Sequence, residues 1–405
     1  MSLFHHNPPS LKQRERLADL FVNRREDLEE LERRCARWDD SPVRRVHAVH
    51  GDSRVGKSHL LLYFLQRPDV HRRYNVFIKR AANGQTARLV LREVYRLLTQ
   101  GIPTAVRRDP DVQDRLRIYD AAAGDRDWDS ALLAPLRGTA AFERVGEIFN
   151  VSTRALDLGS LIPRADEHHL VQIILDLIDV IRDATEKPCL LYIDDMDLLD
   201  AGPRVDQQEV GALARRLEDL SGSDAVTVVV SMRTRRVSRF NKGFDELLFV
   251  KPLDEDAVVE VYRRHRQVFL GGRDVFTPEC VREIARAAAC CVGTFLRWCA
   301  RLYAWGAARL AGAGALDVLD LEEFVLDQIR EYSRQPLLGR HLNRVREAIW
   351  QQHLTVDLEP DVADTELLHF AVEELVGAGQ TRTFAVNPLV AKVLSERELA
   401  PWQAE

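Results

Sequence analysis

Residues 51–58 read Gly-Asp-Ser-Arg-Val-Gly-Lys-Ser, and this run with its flanks leaves few folds open to the chain. Before it, Val43 to His50 (VRRVHAVH) is rich in β-branched residues and alternates like a strand. After it, Ser58 to Gln66 (SHLLLYFLQ) is apolar at helical spacing. Strand, glycine loop and helix in that order form the G-x-x-x-x-G-K-[ST] pattern. In such a loop Gly51 and Gly56 let the backbone curl through Asp52, Ser53, Arg54 and Val55, so that its N–H groups converge on phosphate oxygens. The helix behind, opening through His59, adds about half a positive charge. Lys57 then reaches the β- and γ-phosphates and Ser58 places its hydroxyl on Mg²⁺.

Pro188 to Asp197 reads PCLLYIDDMD, an apolar run ending in acids, the way a buried central strand delivers carboxylates to the carboxyl edge of a parallel sheet. Asp194 is the expected partner of Mg²⁺, and Asp195 stands where a carboxylate orients or deprotonates an attacking water. Adjacent aspartates also suit a helix N-cap. Coupled to the loop at 51–58, the metal and water roles are the stronger reading.

Together with Phe21 to Leu28 (FVNRREDL), these two motifs make the chain resemble P-loop ATPases of the AAA+ and STAND groups, near the origin-recognition-like branch. The resemblance implies that the backbone of Phe21, Val22, Asn23 and Arg24 frames an adenine ring, with ATP and Mg²⁺ as cofactors. Asn23 stands where glycine is common in the family. Read from the residues alone, Leu28, Leu31 and the charged residues between them form an amphipathic surface helix. Ala225 to Ser231 (AVTVVVS) is a further buried strand ending in Ser231-Met232-Arg233-Thr234, and the family implies Ser231 and Arg233 as γ-phosphate sensors. Cys291 to Trp298 (CVGTFLRW) resembles the lid motif of these ATPases, with Gly293 facing the nucleotide and Arg297 as a second sensor. Phe295 stands where the family carries proline.

At 405 residues, 46% hydrophobic and 30% charged, the chain has the composition of a soluble globular protein of two or three domains. No apolar run is long enough to span a membrane, and MSLFHHNPPS lacks the basic-then-apolar order of a secretory signal, so a cytoplasmic location is the expectation. Cys35, Cys189, Cys280, Cys290, Cys291 and Cys299 form no C-x-x-C pair and read as buried free thiols. His168-His169 opens a helix. The net charge of −6 argues against wholesale coating of nucleic acid. One basic cluster, Arg233, Arg235, Arg236, Arg239 and Lys242, leaves three readings open: an arginine acting on a neighbouring subunit (Arg236 or Arg239), a nucleic-acid phosphate contact, or a solvated loop.

These anchors predict an α/β fold: a P-loop NTPase parallel-sheet core with a helical lid and a C-terminal winged-helix-like domain. A flexible arm at 1–14 leads into the core at 15–252, with strands near 43–50, 74–79, 189–194, 226–231 and 247–251 and an insertion at about 100–168. The lid follows at 253–316. The C-terminal domain, 317–405, carries helices at 320–333, 337–352 and 364–377 and a strand-like TRTFAVNP. The implied function is a slow regulatory ATPase, because Asp195 is one methylene shorter than the glutamate of fast AAA+ motors. As a switch it would oligomerise or engage a separate effector or sensor protein, with bacterial defence as the context the family suggests. A DNA-associated loader or transposition-type ATPase and a nucleotide-bound structural subunit are the alternatives. DNA is the less favoured partner because Arg and Glu alternate in the C-terminal domain without a basic face.

Overall fold

The computed structural model describes residues 17–40, 46–52, 54–124, 138–149, 165–200, 209–234, 244–311, 314–351, 353, 355–358, 372–374 and 382–397. The arm at 1–14 and much of the insertion, 125–137 and 150–164, lie outside them. The chain divides into two compact units, one drawn from Met1–Arg24, Asp52–His59 and Lys251–Glu405, the other from Arg25–Gly51 and Leu60–Val250.

The second of these holds a five-stranded parallel sheet: β1 (Val46–Gly51), β2 (Asn75–Arg80), β3 (Cys189–Asp194), β4 (Val226–Arg233) and β5 (Phe244–Phe249), in the order β2-β3-β4-β1-β5. Every residue of β3 is buried, as its unbroken apolar run requires of a central strand covered on both faces. Register brings the carboxyl ends of the strands to one edge, where Gly51 of β1 stands opposite Arg233 of β4 and Arg80 of β2 opposite Asp194 of β3. The helices of this unit are α1 (Arg25–Asp40), α3 (Ala87–Gly101), α4 (Pro110–Ala122), α5 (Ala140–Ile148), α6 (Glu167–Thr185) and α7 (Glu209–Ser221), while α2 (Lys57–Leu65) follows the glycine loop. Leu170, Ile173, Ile174, Leu177, Ile178 and Ile181 of α6 recur at helical spacing and are buried with the sheet residues in one core. Asp166 caps α6 by accepting from His169 N, so His168-His169 is a helix start as read.

The described part of the insertion is helical and anchored. Buried Asp176 of α6 accepts from Tyr119 Oη at 2.7 Å, Arg144 Nε at 2.9 Å and Arg115 Nη1 at 3.3 Å, tying α4 and α5 to α6 through one carboxylate. A buried charge satisfied by several donors holds these helices in place.

The other unit is mainly helical: α8 (Glu255–Leu270), α9 (Pro278–Ala287), α10 (Val292–Trp305), α11 (Val318–Ser333), α12 (Pro336–Trp350) and α13 (Pro388–Arg397), with an antiparallel sheet of β6 (Thr355–Leu358), β7 (Val372–Glu374) and β8 (Arg382–Val386) in the order β6-β8-β7. Helices leading into a small antiparallel sheet are the winged-helix-like arrangement read from the sequence. One expectation needs correcting: the helix expected at 364–377 contains β7, and its other residues lie outside the described set. Val372 pairs with Val386 and Glu374 with Phe384, so ladder pairing overrides the helical period of that stretch.

Candidate functional site

The candidate site residues fall into two clusters, one in each unit. The first is the glycine loop. Gly56 adopts φ +105°, closed in practice to any residue with a Cβ, and Arg54 takes the left-handed conformation at φ +66°. Lys57 is buried, and its Nζ donates to Asp52 O at 2.8 Å. Val55 is wholly buried, so its contribution to a ligand is restricted to its backbone. Burial pushes the His59 imidazole down to about 4, which makes it neutral at physiological pH. Ser53 lies outside the described residues.

Two further segments grip this loop by its carbonyls. Arg24, buried, donates from Nη2 to Val55 O and from Nη1 to Lys251 O, each at 2.6 Å. The family resemblance implies a backbone role for Arg24; in the structure its guanidinium fork fixes the loop and the residue at the head of the helical segment. Asn23 beside it adopts φ +42°, which accounts for asparagine in a place where glycine is common. Val22 is committed to the core with α8, α9 and α10, and Phe21 O accepts from Arg264 Nη1 at 2.9 Å. The second grip comes from α10, whose N-cap Cys291 supplies no side-chain cap; instead Gly293 N donates to Arg54 O at 2.9 Å. A Cβ at Gly293 would come within 2.8 Å of Arg54 Cβ and 3.2 Å of Arg54 O. Glycine is therefore required there by close approach. Arg297 lies four residues along α10, on the face that carries Gly293, and is half-buried.

The second cluster occupies the carboxyl edge of the sheet. Asp194 is buried, and its Oδ1 accepts from Tyr192 Oη at 2.5 Å and from Ser231 Oγ at 2.7 Å. The same Ser231 Oγ accepts from Asp195 N at 2.8 Å, so one buried hydroxyl fixes both aspartates. Asp195 sits at φ +54°, a conformation that aspartate tolerates better than most residues. Burial raises its carboxyl above the ordinary range, Asp194 raises it further, and Arg80 opposes both. Arg80 Nη2 donates to Asp195 Oδ2 at 3.0 Å, and Arg80 Nε stands 4.0 Å from Asp194 Oδ2. Arg233 Nε pairs with buried Asp197 Oδ2 at 3.0 Å. Arg236 and Arg239 lie outside the described residues.

Gly51 belongs to this edge, and its role differs from the one expected. It is not a left-handed residue; a Cβ there would lie 2.4 Å from Val250 O, whose own N–H donates to His50 O at 2.7 Å. The residue is glycine so that the strand-like stretch after β5 can close on β1. Arg80 and Tyr192 were missed from sequence. Tyr192 had a signal, since period-2 alternation puts it on the same strand face as Asp194; Arg80, at the end of an ordinary strand, had none.

All six cysteines are free thiols, five of them buried and Cys290 partly so. Among the described residues no group of three or more His, Cys, Asp or Glu side chains forms a metal site, and no helix is long and apolar enough to cross a membrane.

No family model matches the chain, and no curated protein does. Among solved structures the chain is similar to the ORC2 protein of Aeropyrum pernix in its ADPNP–ADP complexes, at 13% identity over 98% of each chain and a TM-score of 0.49. It is also similar to a Walker-type ATPase of Pyrococcus abyssi, at 15% identity over 97% of this chain and 99% of that one with a TM-score of 0.41. Cdc6p of Pyrobaculum aerophilum gives 12% identity over 93% and 95% of the two chains and a TM-score of 0.43. With likeness at that level, the fold and site of this chain rest on its own residues.

Proposed function

We propose that the chain is an ATP-binding regulatory ATPase of the AAA+/STAND type, a slow nucleotide-dependent switch that oligomerises or engages a partner protein, with bacterial defence signalling as its setting. The observation that supports it most is the pair of grips on the glycine loop. Arg54 O is the acceptor for the first turn of α10, and Val55 O is tied through Arg24 to Lys251 at the head of the helical segment. A ligand that re-aims the loop must therefore move or strengthen both contacts, and this is how phosphate occupancy becomes a change in the helices.

The loop fits a triphosphate: a glycine at φ +105° opens the backbone, and a buried lysine supplies a point charge. Ser58 and Asp194 offer the oxygen donors that suit Mg²⁺, which when bound supplies positive charge to the phosphate oxygens. Lys57 pairs with the β- and γ-phosphates. Asp195 orients a water and takes its proton as the water oxygen bonds to the γ-phosphorus and the bond to the β–γ bridging oxygen breaks, giving ADP and phosphate. Arg80 holds that carboxylate in an ion pair, consistent with slow turnover. The helices 253–316 act as the lid in this reading, with Arg297 and Arg233 as phosphate sensors and Arg236 or Arg239 as an arginine offered to a neighbouring subunit.

Calorimetric titration of ATP with Mg²⁺ tests it. Lys57→Ala is expected to weaken binding roughly a hundredfold or more. Unchanged affinity in the folded variant would falsify the assignment. Turnover stimulated by duplex DNA would move the protein to the DNA-loading class.

A further inference from the structure

Behind the carboxylate edge, two hydroxyl groups converge on a single oxygen atom. In the parallel pair of β3 and β4, Tyr192 stands opposite Val229 and Ile193 opposite Val230, so Ser231 lies one step further along, beside Asp194. Tyr192 and Ser231 are wholly buried and Asp194 nearly so. A hydroxyl shut away from water has to find its acceptor inside the protein, and both of these find the same one. Tyr192 Oη donates to Asp194 Oδ1 at 2.5 Å, and Ser231 Oγ donates to it at 2.7 Å.

Each hydroxyl has one proton to give. Ser231 gives its proton to Asp194 while its oxygen receives the N–H of Asp195 at 2.8 Å, and Tyr192 gives its own to Asp194. Two hydroxyls donating to one oxygen suit the ionised carboxylate, which can only accept, and both distances fall in the range of about 2.5–2.7 Å typical of O–H···O⁻ bonds. Asp194 is thereby held charged and in one orientation. Hydrogen bonds of this kind, made to a carboxylate from the side of the protein, set the direction and basicity with which it meets a cation. A serine that senses a γ-phosphate, by contrast, gives its proton to the phosphate, and that of Ser231 goes to Asp194.

We propose that Tyr192 and Ser231 are positioning residues for Mg²⁺: through Oδ1 they fix Asp194 toward the cation, and Ser231 serves the two aspartates in place of a phosphate. This assignment rests on the ATPase reading and deepens it at the metal. Tyr192→Phe isolates the effect, because it removes the hydroxyl and keeps the ring in the core.

Calorimetric titration of ATP into the starting protein and the Tyr192→Phe variant, once with Mg²⁺ and once in EDTA, tests it, with thermal melting of each protein alongside. The gain in affinity that Mg²⁺ confers should shrink by about tenfold in the variant, the size usual when a residue behind a metal ligand is lost, while affinity in EDTA stays within about threefold. Ser231→Ala should shrink the same gain at least as much and leave the ratio of ATP to ADP affinity in EDTA where it was. A lowered melting temperature with the Mg²⁺ gain intact would make the bond structural only and overturn the proposal. So would a Ser231→Ala variant that loses its preference for ATP over ADP in EDTA, the mark of a phosphate sensor. Should Tyr192→Phe fail to fold, Ser231→Ala decides by the same two ratios. A starting protein that binds ATP equally with and without Mg²⁺ overturns the proposal and leaves the nucleotide site standing; one that binds no ATP in either condition overturns the ATPase reading as well.

Discussion

The glycine loop and the carboxylate edge of the sheet are fixed in opposite ways. The loop is held by its backbone: Arg24 and Gly293 bind the carbonyls of Val55 and Arg54, and Gly56 holds a conformation open to glycine alone. The edge is held by side chains and charge: Ser231, Tyr192 and Arg80 converge on Asp194 and Asp195. A backbone grip is sensitive to volume and indifferent to pH, whereas a carboxylate cluster tolerates small changes of volume and responds to every change of charge. The two regions are therefore open to different perturbations, and each kind should leave the other region's property alone.

The largest expected effect is on the charged side. Asp195→Asn keeps the shape and the acceptance of hydrogen bonds but is a far poorer proton acceptor, so turnover should fall by roughly a hundredfold or more with ATP affinity within about threefold of the starting protein. Single-turnover ATP hydrolysis beside equilibrium binding separates the two quantities. An asparagine variant hydrolysing at the original rate would move the water-orienting role to another residue.

Gly293→Ala probes the other grip. The new Cβ would meet Arg54 Cβ at 2.8 Å and its carbonyl oxygen at 3.2 Å, so either α10 or the loop has to shift. Overpacking of this sort costs about 1–3 kcal/mol. The cost should appear as ATP affinity weakened by about tenfold, with no change in the pH dependence of turnover. An alanine variant that binds ATP as before would show that the loop and α10 part during binding.

What could be read from sequence follows the same division. Four strands were legible from apolar or β-branched stretches, β5 begins at Phe244 and runs through Asp245 and Glu246, ahead of the 247–251 expected, and GDSRVGKS and IDDMD were legible as patterns from their spacing. Side-chain grips between distant segments were not. Arg24 was read for its backbone, yet its guanidinium does the holding, 227 residues from Lys251 in the chain. Gly51 was read as a turn glycine, yet it answers to Val250, which no local pattern announces. The stretch around β7, rich in Glu, Ala and Leu, has a helical period, and only pairing with β8 makes Val372–Glu374 a strand.

Arg80 offers the smallest effect and the sharpest test of the comparison. Its guanidinium opposes the rise in the Asp195 carboxyl that burial and Asp194 produce, so removing it should raise that carboxyl further. With Asp195 as the base of the proposed reaction, turnover is lost as pH falls through its pKa, and a higher pKa brings the loss at higher pH. Arg80→Ala should therefore move the acid limb of the pH–rate profile upward, by no more than about one pH unit because Arg80 is 50% exposed and screened by solvent. Well above that limb the two rates should converge, or the variant should be faster if the ion pair restrains the carboxylate. Glycine-loop affinity for ATP at the same pH should be unchanged. An acid limb that stays in place while affinity falls would mean that Arg80 serves the nucleotide and that the charge of the edge is set by Asp194 and burial alone.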